Sequence, residues 1–222
     1  MNKINFNLLN DEDLSEAQIL LTMQSYNRHA KKYAKLWEWN PKTIKEIKKY
    51  NIKPFVRFVP KASKVLLIGS RSGRDYSLLS DAGYICIGVE PSYGLLSEFA
   101  SRVPNGLYMR LDFETLPFMP KSFDAIYADA LTHLPKKKIN AVLRDFRIFL
   151  KPKGYMYLSL KIGRVNVFFI NDAGGKRYMT VYKKSEVLRM VKEVGFKVLW
   201  SEMSEHTEPS LPRWFSLILQ KK

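Results

Sequence analysis

The sequence predicts an α/β fold with a mostly parallel sheet and helices on both faces. Three observations predict it. Short apolar runs typical of buried strands alternate with amphipathic helical segments over residues 63–160. Residues 65–92 read as an apolar strand, a glycine turn, a helix, a second apolar strand and an acid. After Gly195, two strand-like runs follow with no helical period between them, which favours an antiparallel return at the end of the sheet.

The elements follow one another along the chain with recognisable start and stop signals. Ser15 is suited to cap the first helix, Pro41 opens the second, and Gly195 ends the last. The predicted helices span residues 14–37, 41–50, 74–82, 93–101, 139–150 and 185–194. The seven predicted strands span residues 65–68, 85–89, 107–111, 125–128, 155–160, 196–201 and 214–219. We therefore expect an N-terminal helical cap at residues 1–60 and one α/β domain at residues 61–222.

The length and composition are those of an ordinary globular protein. The 222 residues suffice for one α/β domain and a short extension. No apolar run approaches the roughly 18 residues of a membrane span, and the N-terminus has no signal-peptide pattern. The single cysteine, Cys86, lies inside the apolar run YICIGV and reads as a buried strand residue. We expect a cytoplasmic protein with no membrane partner.

The charge is strongly basic, at +16 from 37 basic and 21 acidic residues. Such an excess favours a polyanionic partner such as RNA. The lysines are also scattered over the whole chain, which is typical of a solvated surface. Two segments are denser in basic residues, 42–53 and 136–153, and the second reads as an amphipathic helix with an apolar inner face. RNA binding therefore stays an alternative.

The glycine turn after the first strand predicts a nucleotide site. Gly69 and Gly73 stand where the backbone turns sharply into a helix, and Glu90, 21 residues past Gly69, ends the next strand, where an acid can bind ribose hydroxyls. Three observations favour a single nucleoside over a dinucleotide. The glycine spacing is GxxxG instead of GxGxxG, Asp112 follows the third strand at a place suited to an adenine edge, and the sheet closes with an antiparallel hairpin.

Five segments in the right order carry a resemblance to a known family, and two later segments resemble its C-terminal end. They are VLLIGSRSGRD, GYICIGVEPS, LDFETLPF, SFDAIYADALTHLP, LKPKGYMYLSLKIG, GKRYMTVYKKSEVLRMVKEVGFKVL and RWFSLILQKK. Together they resemble the class I S-adenosylmethionine (SAM) dependent methyltransferases of the broad type-11 group. The resemblance implies a Rossmann-like seven-stranded sheet with an antiparallel last strand. It also implies a methyltransferase with SAM as cofactor and S-adenosylhomocysteine (SAH) as product.

The resemblance implies a role for each matching position. Gly69 and Gly73 would pass under the methionine part of SAM, Glu90 would hold the ribose hydroxyls, Asp112 would accept from the adenine amino group, and Phe113 would lie beside the ring. Tyr26 would close over the cofactor. The implied cofactor-binding residues are Tyr26, Gly69, Ser70, Arg71, Gly73, Asp75, Glu90, Pro91, Asp112, Phe113 and Ala128.

Two positions depart from the family pattern VLDxGxGxG. Leu67 stands where the family has an acid that helps to hold the amino group of SAM, and Arg71 replaces the middle glycine. Asp75 could supply the missing charge from the first turn of the next helix. Arg71 could reach a carboxylate of SAM or of substrate, or it could be a solvent-exposed residue at a loop tip. These departures leave a non-catalytic binding or scaffold protein as an alternative.

The candidate catalytic and substrate residues follow the fourth and fifth strands. His133 is the first choice, as a general base or a group that orients substrate, and Asp129 is either a substrate anchor or a helix cap. Lys161, Arg177 and Tyr178 lie where this fold inserts its substrate cover. We expect methyl transfer to an oxygen, nitrogen or sulfur of a small molecule, with an RNA methyltransferase as the alternative. The three histidines lie far apart, so no metal site is predicted.

Overall fold

A computed structural model describes residues 15–204 and 212–222. The described helices are α1 (Glu16–Tyr33), α2 (Pro41–Ile47), α3 (Lys53–Phe58), α4 (Arg74–Asp81), α5 (Tyr93–Arg102), α6 (Lys136–Phe149) and α7 (Lys184–Val194). Two π-helical turns, Ala34–Glu38 and Lys48–Ile52, join α1, α2 and α3, and a 3-10 turn spans Leu131–His133. The described strands are β1 (Lys64–Ile68), β2 (Ile85–Val89), β3 (Tyr108–Met109), β4 (Phe123–Ala128), β5 (Leu150–Ile162), β6 (Val167–Asp172), β7 (Gly175–Tyr182), β8 (Phe196–Met203) and β9 (Arg213–Lys221).

The sheet has the predicted α/β topology. Strands β3, β2, β1, β4 and β5 lie side by side in that order and pair in parallel. Strand β9 pairs antiparallel with β5 and with β8, which confirms the predicted antiparallel C-terminal strand. The predicted start of the first helix at residue 14 lies outside the described residues, and so does His206.

A hairpin of β6 and β7 is additional to the seven predicted strands. Residues Asp172 and Gly175 pair across its two-residue turn, and β7 joins the sheet beside the end of β5. The sequence prediction has a substrate cover without regular structure in this segment. Its polar turn NDAGG, between two runs rich in β-branched and aromatic residues, is typical of a hairpin and is the signal that the prediction overlooks.

Helices cover both faces of the sheet. The inner faces of α6 and α7 pack on one side, and the predicted inward positions of α6 are all buried. The other face packs against α3, α4 and α5 through Phe55, Leu79 and Phe99, and Cys86 is buried there as predicted. No helix in the described part of the chain is long and apolar enough to cross a bilayer.

Helix α1 lies over the carboxyl ends of the parallel strands. Ser15 caps its start by accepting from the backbone of Gln18, as the sequence predicts. On one side, the hydroxyl of Thr22 accepts from the backbone N–H of Tyr178 in β7 at 2.9 Å. On the other side, Asn27 accepts from the hydroxyl of Ser92, which caps α5, at 2.7 Å. The helix therefore bridges α5 and the hairpin, and it roofs the edge where open α/β sheets bind ligands.

Candidate functional site

The turn after β1 requires a glycine for two reasons. Gly69 has a φ of +75°, and a Cβ built there would lie 2.1 Å from the Cβ of Ala130. The N–H groups of Gly69 and Ser70 both donate to the carbonyl of Val89, which fixes the turn against the end of β2. Arg71 also adopts a left-handed conformation, with a φ of +50°, where the family pattern has glycine. Arg71 therefore occupies a backbone conformation that favours glycine.

A mainly apolar cleft lies between α1 and the carboxyl edge of the sheet. Six of the predicted site residues line it together: one from α1, one from the glycine turn, two after β2, and two after β3 and β4. The lining residues are Ile19, Thr22, Met23, Tyr26, Arg71, Glu90, Pro91, Leu95, Phe113, Ala130 and His133.

Glu90 is the buried acid of this cleft. Its Oε2 accepts from the backbone N–H of Arg71 at 3.1 Å, and its Oε1 accepts from that of Ser92 at 2.9 Å. Burial raises the pKa of Glu90 to about 7, although these two hydrogen bonds oppose the rise. Each carboxylate oxygen has a second lone pair, so Glu90 can still accept from a ligand hydroxyl.

Arg71 is held inside the site by two carboxylates. Its Nη2 donates to the side-chain Oδ2 of Asp129 at 2.7 Å and to the backbone oxygen of the same residue at 2.6 Å. Its Nη1 lies 3.5 Å from Oε1 of Glu38. Both carboxylates are buried, whereas 14% of the Arg71 side chain is exposed. The idea of a solvent-exposed arginine at a loop tip is therefore wrong.

Glu38 was missed by the sequence reasoning. It lies in the π-helical turn after α1 and accepts from the backbone N–H of Ser72 at 3.0 Å and from the Ser72 hydroxyl. The indole of Trp39 donates to the same hydroxyl at 3.0 Å. No local sequence pattern identifies Glu38 as a site residue, because its hydrogen-bond partners lie more than 30 residues away in the sequence.

Asp75 is already paired. The guanidinium of Arg74 donates to both of its carboxylate oxygens, at 2.7 and 3.0 Å, and both side chains are buried. Burial alone would raise the pKa of Asp75, but Arg74 holds it below its usual value. The charge of Asp75 is thus matched within α4.

His133 is a neutral imidazole with one defined tautomer. Its Nδ1 lies 2.8 Å from the backbone oxygen of Tyr178, which can only accept, so Nδ1 carries the proton. Its Nε2 then accepts from the Tyr26 hydroxyl at 3.0 Å, and Arg177 donates to that hydroxyl at 3.3 Å. Burial, together with the nearby cations Arg177 and Arg71, lowers the pKa of His133 to about 4, against the opposing effect of the hydrogen bond to Tyr178. Both ring nitrogens are therefore hydrogen-bonded within the protein.

Ten of the sixteen predicted site residues lie outside the cleft lining, Asp112 and Lys161 among them. Asp112 is exposed, and its side chain accepts from the backbone of Glu114 at 3.0 Å. Lys161 is buried, donates to the carbonyl of Pro212 at 3.2 Å and lies 4.2 Å from the centre of the Trp214 ring. Burial lowers the pKa of Lys161 to about 8.

Three further predicted site residues contribute to the site mainly through their backbone atoms. Gly73, with a φ of +88°, begins α4, and Ala128 is the buried last residue of β4. Tyr178 offers its backbone to His133 and α1, while its side chain packs beside Phe169 in the hairpin. Within residues 15–204 and 212–222 there is no group of three or more histidine, cysteine or acidic residues that could hold a metal ion.

The family match comes from the segment that builds this cleft. Residues 65–154 match the model of the methyltransferase domain family. The chain therefore contains a methyltransferase domain at these residues, in agreement with the resemblance of its sequence to the class I SAM-dependent methyltransferases. SAM is the cofactor of this enzyme class. No curated protein is significantly similar to the sequence.

Solved structures share the fold of this methyltransferase at low sequence identity. A SAM-dependent methyltransferase from Methanosarcina mazei has a TM-score of 0.66 at 17% identity, covering 78% of this chain and 97% of that chain. The Burkholderia thailandensis 1,6-didemethyltoxoflavin-N1-methyltransferase has a TM-score of 0.70 at 13% identity, covering 98% and 95%. The magnesium protoporphyrin IX methyltransferase of Synechocystis has a TM-score of 0.67 at 15% identity, covering 97% and 100%.

The two ends of the methyltransferase cleft differ in chemistry. At one end, Glu90 stands among the apolar side chains of Pro91, Leu95 and Phe113, a combination suited to a nucleoside with ribose hydroxyls and a flat base. The other end is lined by Arg71, whose charged guanidinium suits the charged amino-acid part of SAM. The residues present therefore fit the cofactor of the family.

Proposed function

We propose that this methyltransferase transfers a methyl group from SAM to an oxygen, nitrogen or sulfur atom of a small molecule. The observation that carries the proposal is the cleft under α1, which is lined by Glu90 and by the hydrogen-bonded pair Tyr26 and His133 among mainly apolar side chains. A mainly apolar cleft with a few polar groups is typical of small-molecule sites. SAM, when bound, supplies a methyl group that is already activated on a sulfonium.

The proposed cofactor contacts follow from the residues at each strand end. Glu90 accepts from the ribose hydroxyls, while Pro91 and Phe113 enclose the base and Asp112 meets its edge. Tyr26 covers the cofactor from α1. The remaining backbone contacts are proposed for Gly69, Ser70, Gly73 and Ala128, and Asp75 acts by neutralising Arg74.

We propose that His133 orients the acceptor and does not remove its proton. A base with a pKa of about 4 accepts a proton poorly from groups that hold it at neutral pH. Acceptors that carry a free lone pair at that pH suit this site best. Arg177 does not line the cleft itself, but it donates to the hydroxyl of Tyr26, which does, so Arg177 is the proposed substrate-side cation.

His133→Asn tests the orienting role. Asn retains a donor for the Tyr178 carbonyl and loses the acceptor for Tyr26. We expect kcat to fall by about 10- to 100-fold, in the range of a misplaced acceptor, with no change in the shape of the activity profile between pH 5 and 8. If the wild-type activity profile has an inflection near pH 6.5 that disappears in the variant, His133 is the general base. Tyr26→Phe is the matched control, because it removes the partner hydroxyl alone.

Structural neighbours support a small acceptor. The Burkholderia thailandensis enzyme was solved with 1,6-didemethyltoxoflavin and SAH bound, and the Synechocystis enzyme acts on magnesium protoporphyrin IX. We retain the division into a helical cap at residues 1–60 and a catalytic domain at residues 61–222, and a cytoplasmic location, as parts of the proposal. The test is SAH formation from SAM in the presence of pooled small metabolites, compared with total RNA. Turnover with either pool excludes the non-catalytic scaffold alternative.

A basic groove outside the cleft favours RNA as the second candidate acceptor. It runs between the helices before β1 and strand β8, and it combines three cationic side chains with three aromatic rings and one acid. The lining residues are Lys49, Tyr50, Lys53, Pro54, Arg57, Phe58, Trp200 and Glu202. Such a surface suits stacked bases with phosphates alongside.

Salt dependence tests the RNA candidate. Three phosphate contacts predict that affinity for single-stranded RNA falls by roughly 20-fold between 50 and 200 mM salt. Lys53→Glu should weaken that binding, and Lys176→Glu in the hairpin serves as the control for general charge. Absence of RNA binding at 50 mM salt would remove this candidate.

A further inference from the structure

Three charged side chains meet where the family motif is altered, and one of them, Arg71, lines the cleft. They are Glu38 from the N-terminal cap, Arg71 from the glycine turn and Asp129 after β4, and we call them the Glu38–Arg71–Asp129 cluster. Glu38 and Asp129 are 1% and 7% exposed. Two carboxylates share one guanidinium, so the cluster has a formal charge of −1 when all three groups are ionised.

Two further cations, Arg74 and Lys161, lie close enough to act on Glu38 and Asp129 respectively, but neither forms an ion pair with them. Arg74, the nearest other guanidinium in the sequence, is bound on both carboxylate oxygens of Asp75. Lys161 donates to the Pro212 carbonyl instead. Among residues 15–204 and 212–222, Arg71 alone forms an ion pair with Glu38 or Asp129. A buried site with surplus negative charge favours a ligand that brings a cationic group.

We propose that the Glu38–Arg71–Asp129 cluster recognises the zwitterionic amino-acid end of SAM, with Arg71 binding the carboxylate and Glu38 and Asp129 binding the ammonium. This inference rests on the proposed function. Every buried charge then keeps a partner of opposite sign, and the ammonium takes over the Asp129 backbone oxygen that the Arg71 Nη2 now occupies. The arrangement also accounts for Leu67, because Glu38 supplies from another element the carboxylate that the motif lacks.

The cluster makes a prediction about ligand selectivity. SAM and SAH both carry the amino-acid end, whereas 5′-methylthioadenosine shares only the nucleoside and the sulfur. The nucleoside end at Glu90 does not distinguish these ligands. Selectivity for SAH over 5′-methylthioadenosine therefore reports on Arg71 and its two carboxylates.

The test is calorimetric titration of SAH and of 5′-methylthioadenosine into the wild type and Arg71→Met, which retains length and loses charge. We expect SAH to bind the variant about 10- to 100-fold more weakly, the range for a lost charged hydrogen bond, and 5′-methylthioadenosine to bind within about threefold of wild type. Glu38→Gln should shift the same selectivity in the same direction. Arg189→Met, which removes an exposed arginine that lies 3.9 Å from Glu193 in α7, is the control and should change neither.

The outcomes separate this inference from the proposed function. Unchanged or tighter SAH binding by Arg71→Met would overturn the inference, because Arg71 would then obstruct the cleft. An equal loss of affinity for both ligands would also overturn the inference. Arg71→Lys, which retains the charge, distinguishes that result from misfolding, because this variant should preserve the selectivity for SAH. A wild type that binds neither ligand would instead contradict the proposed function itself.

Discussion

Gly69→Ala should destabilise the protein by about 2–5 kcal/mol, measured by urea unfolding. The positive φ costs an L-residue about 1–2 kcal/mol, and the added Cβ meets the Ala130 Cβ at 2.1 Å. Neither atom can rotate away, because both are attached directly to the backbone. The turn must therefore move away from the segment after β4, and this movement destabilises the folded protein.

A matched glycine separates the two causes of this loss. Gly83 has a φ of +92°, and a Cβ added there would meet nothing within 4 Å, so Gly83→Ala should cost only the backbone strain of about 1–2 kcal/mol. Adding Ala130→Gly to Gly69→Ala should recover at least about 1 kcal/mol through a coupling that a double-mutant cycle measures. Equal losses for Gly69→Ala and Gly83→Ala, with no recovery, would show that the overlap is unimportant.

Glu90→Gln should alter the pH dependence of stability. The pKa of Glu90 is about 7 in the folded protein against an ordinary value of 4.5. Between these values the folded protein holds a proton that the unfolded chain has lost, so the free energy of unfolding falls as pH rises from about 4.5 to about 7. The stability of the wild type relative to Glu90→Gln should therefore fall by about 3 kcal/mol across this window.

The same substitution should weaken cofactor binding. Ligand hydroxyls donate to the ionised carboxylate, so wild-type affinity for SAH should rise as pH passes through about 7, while Glu90→Gln shows no such rise. At pH 8 we expect a loss of about 10- to 100-fold in affinity. Glu98→Gln, on α5, is the control and should behave as wild type. Parallel pH profiles for the wild type and Glu90→Gln would contradict a role for Glu90 in binding.

The parts of the fold that local patterns encode could be predicted from the sequence. Strand and helix periodicity, with the glycine turn between them, defined β1, α4 and β2 to within a residue or two. The place of Glu90 followed from the same pattern, because an acid that ends β2 must reach the carboxyl edge. The β6–β7 hairpin was not predicted, because the segment was interpreted as a substrate cover from the resemblance and not from its turn chemistry.

The charge pairing of the site could not be predicted, because it joins distant segments. Arg71 pairs with Asp129, 58 residues further on, and with Glu38, 33 residues earlier. Asp75 was expected to replace the acid absent at Leu67, yet its immediate neighbour Arg74 already binds it. The adjacency of Arg74 and Asp75 at the start of a helix does not predict this pairing, because it depends on both side chains being buried together.

The decisive experiment for cofactor binding in the cleft is calorimetric titration of SAM and SAH into the purified protein. We expect both ligands to bind with dissociation constants on the order of micromolar, corresponding to about −8 kcal/mol. Absence of binding by either ligand at millimolar concentration, in a protein that remains folded, would contradict a working cofactor site and leave only the fold.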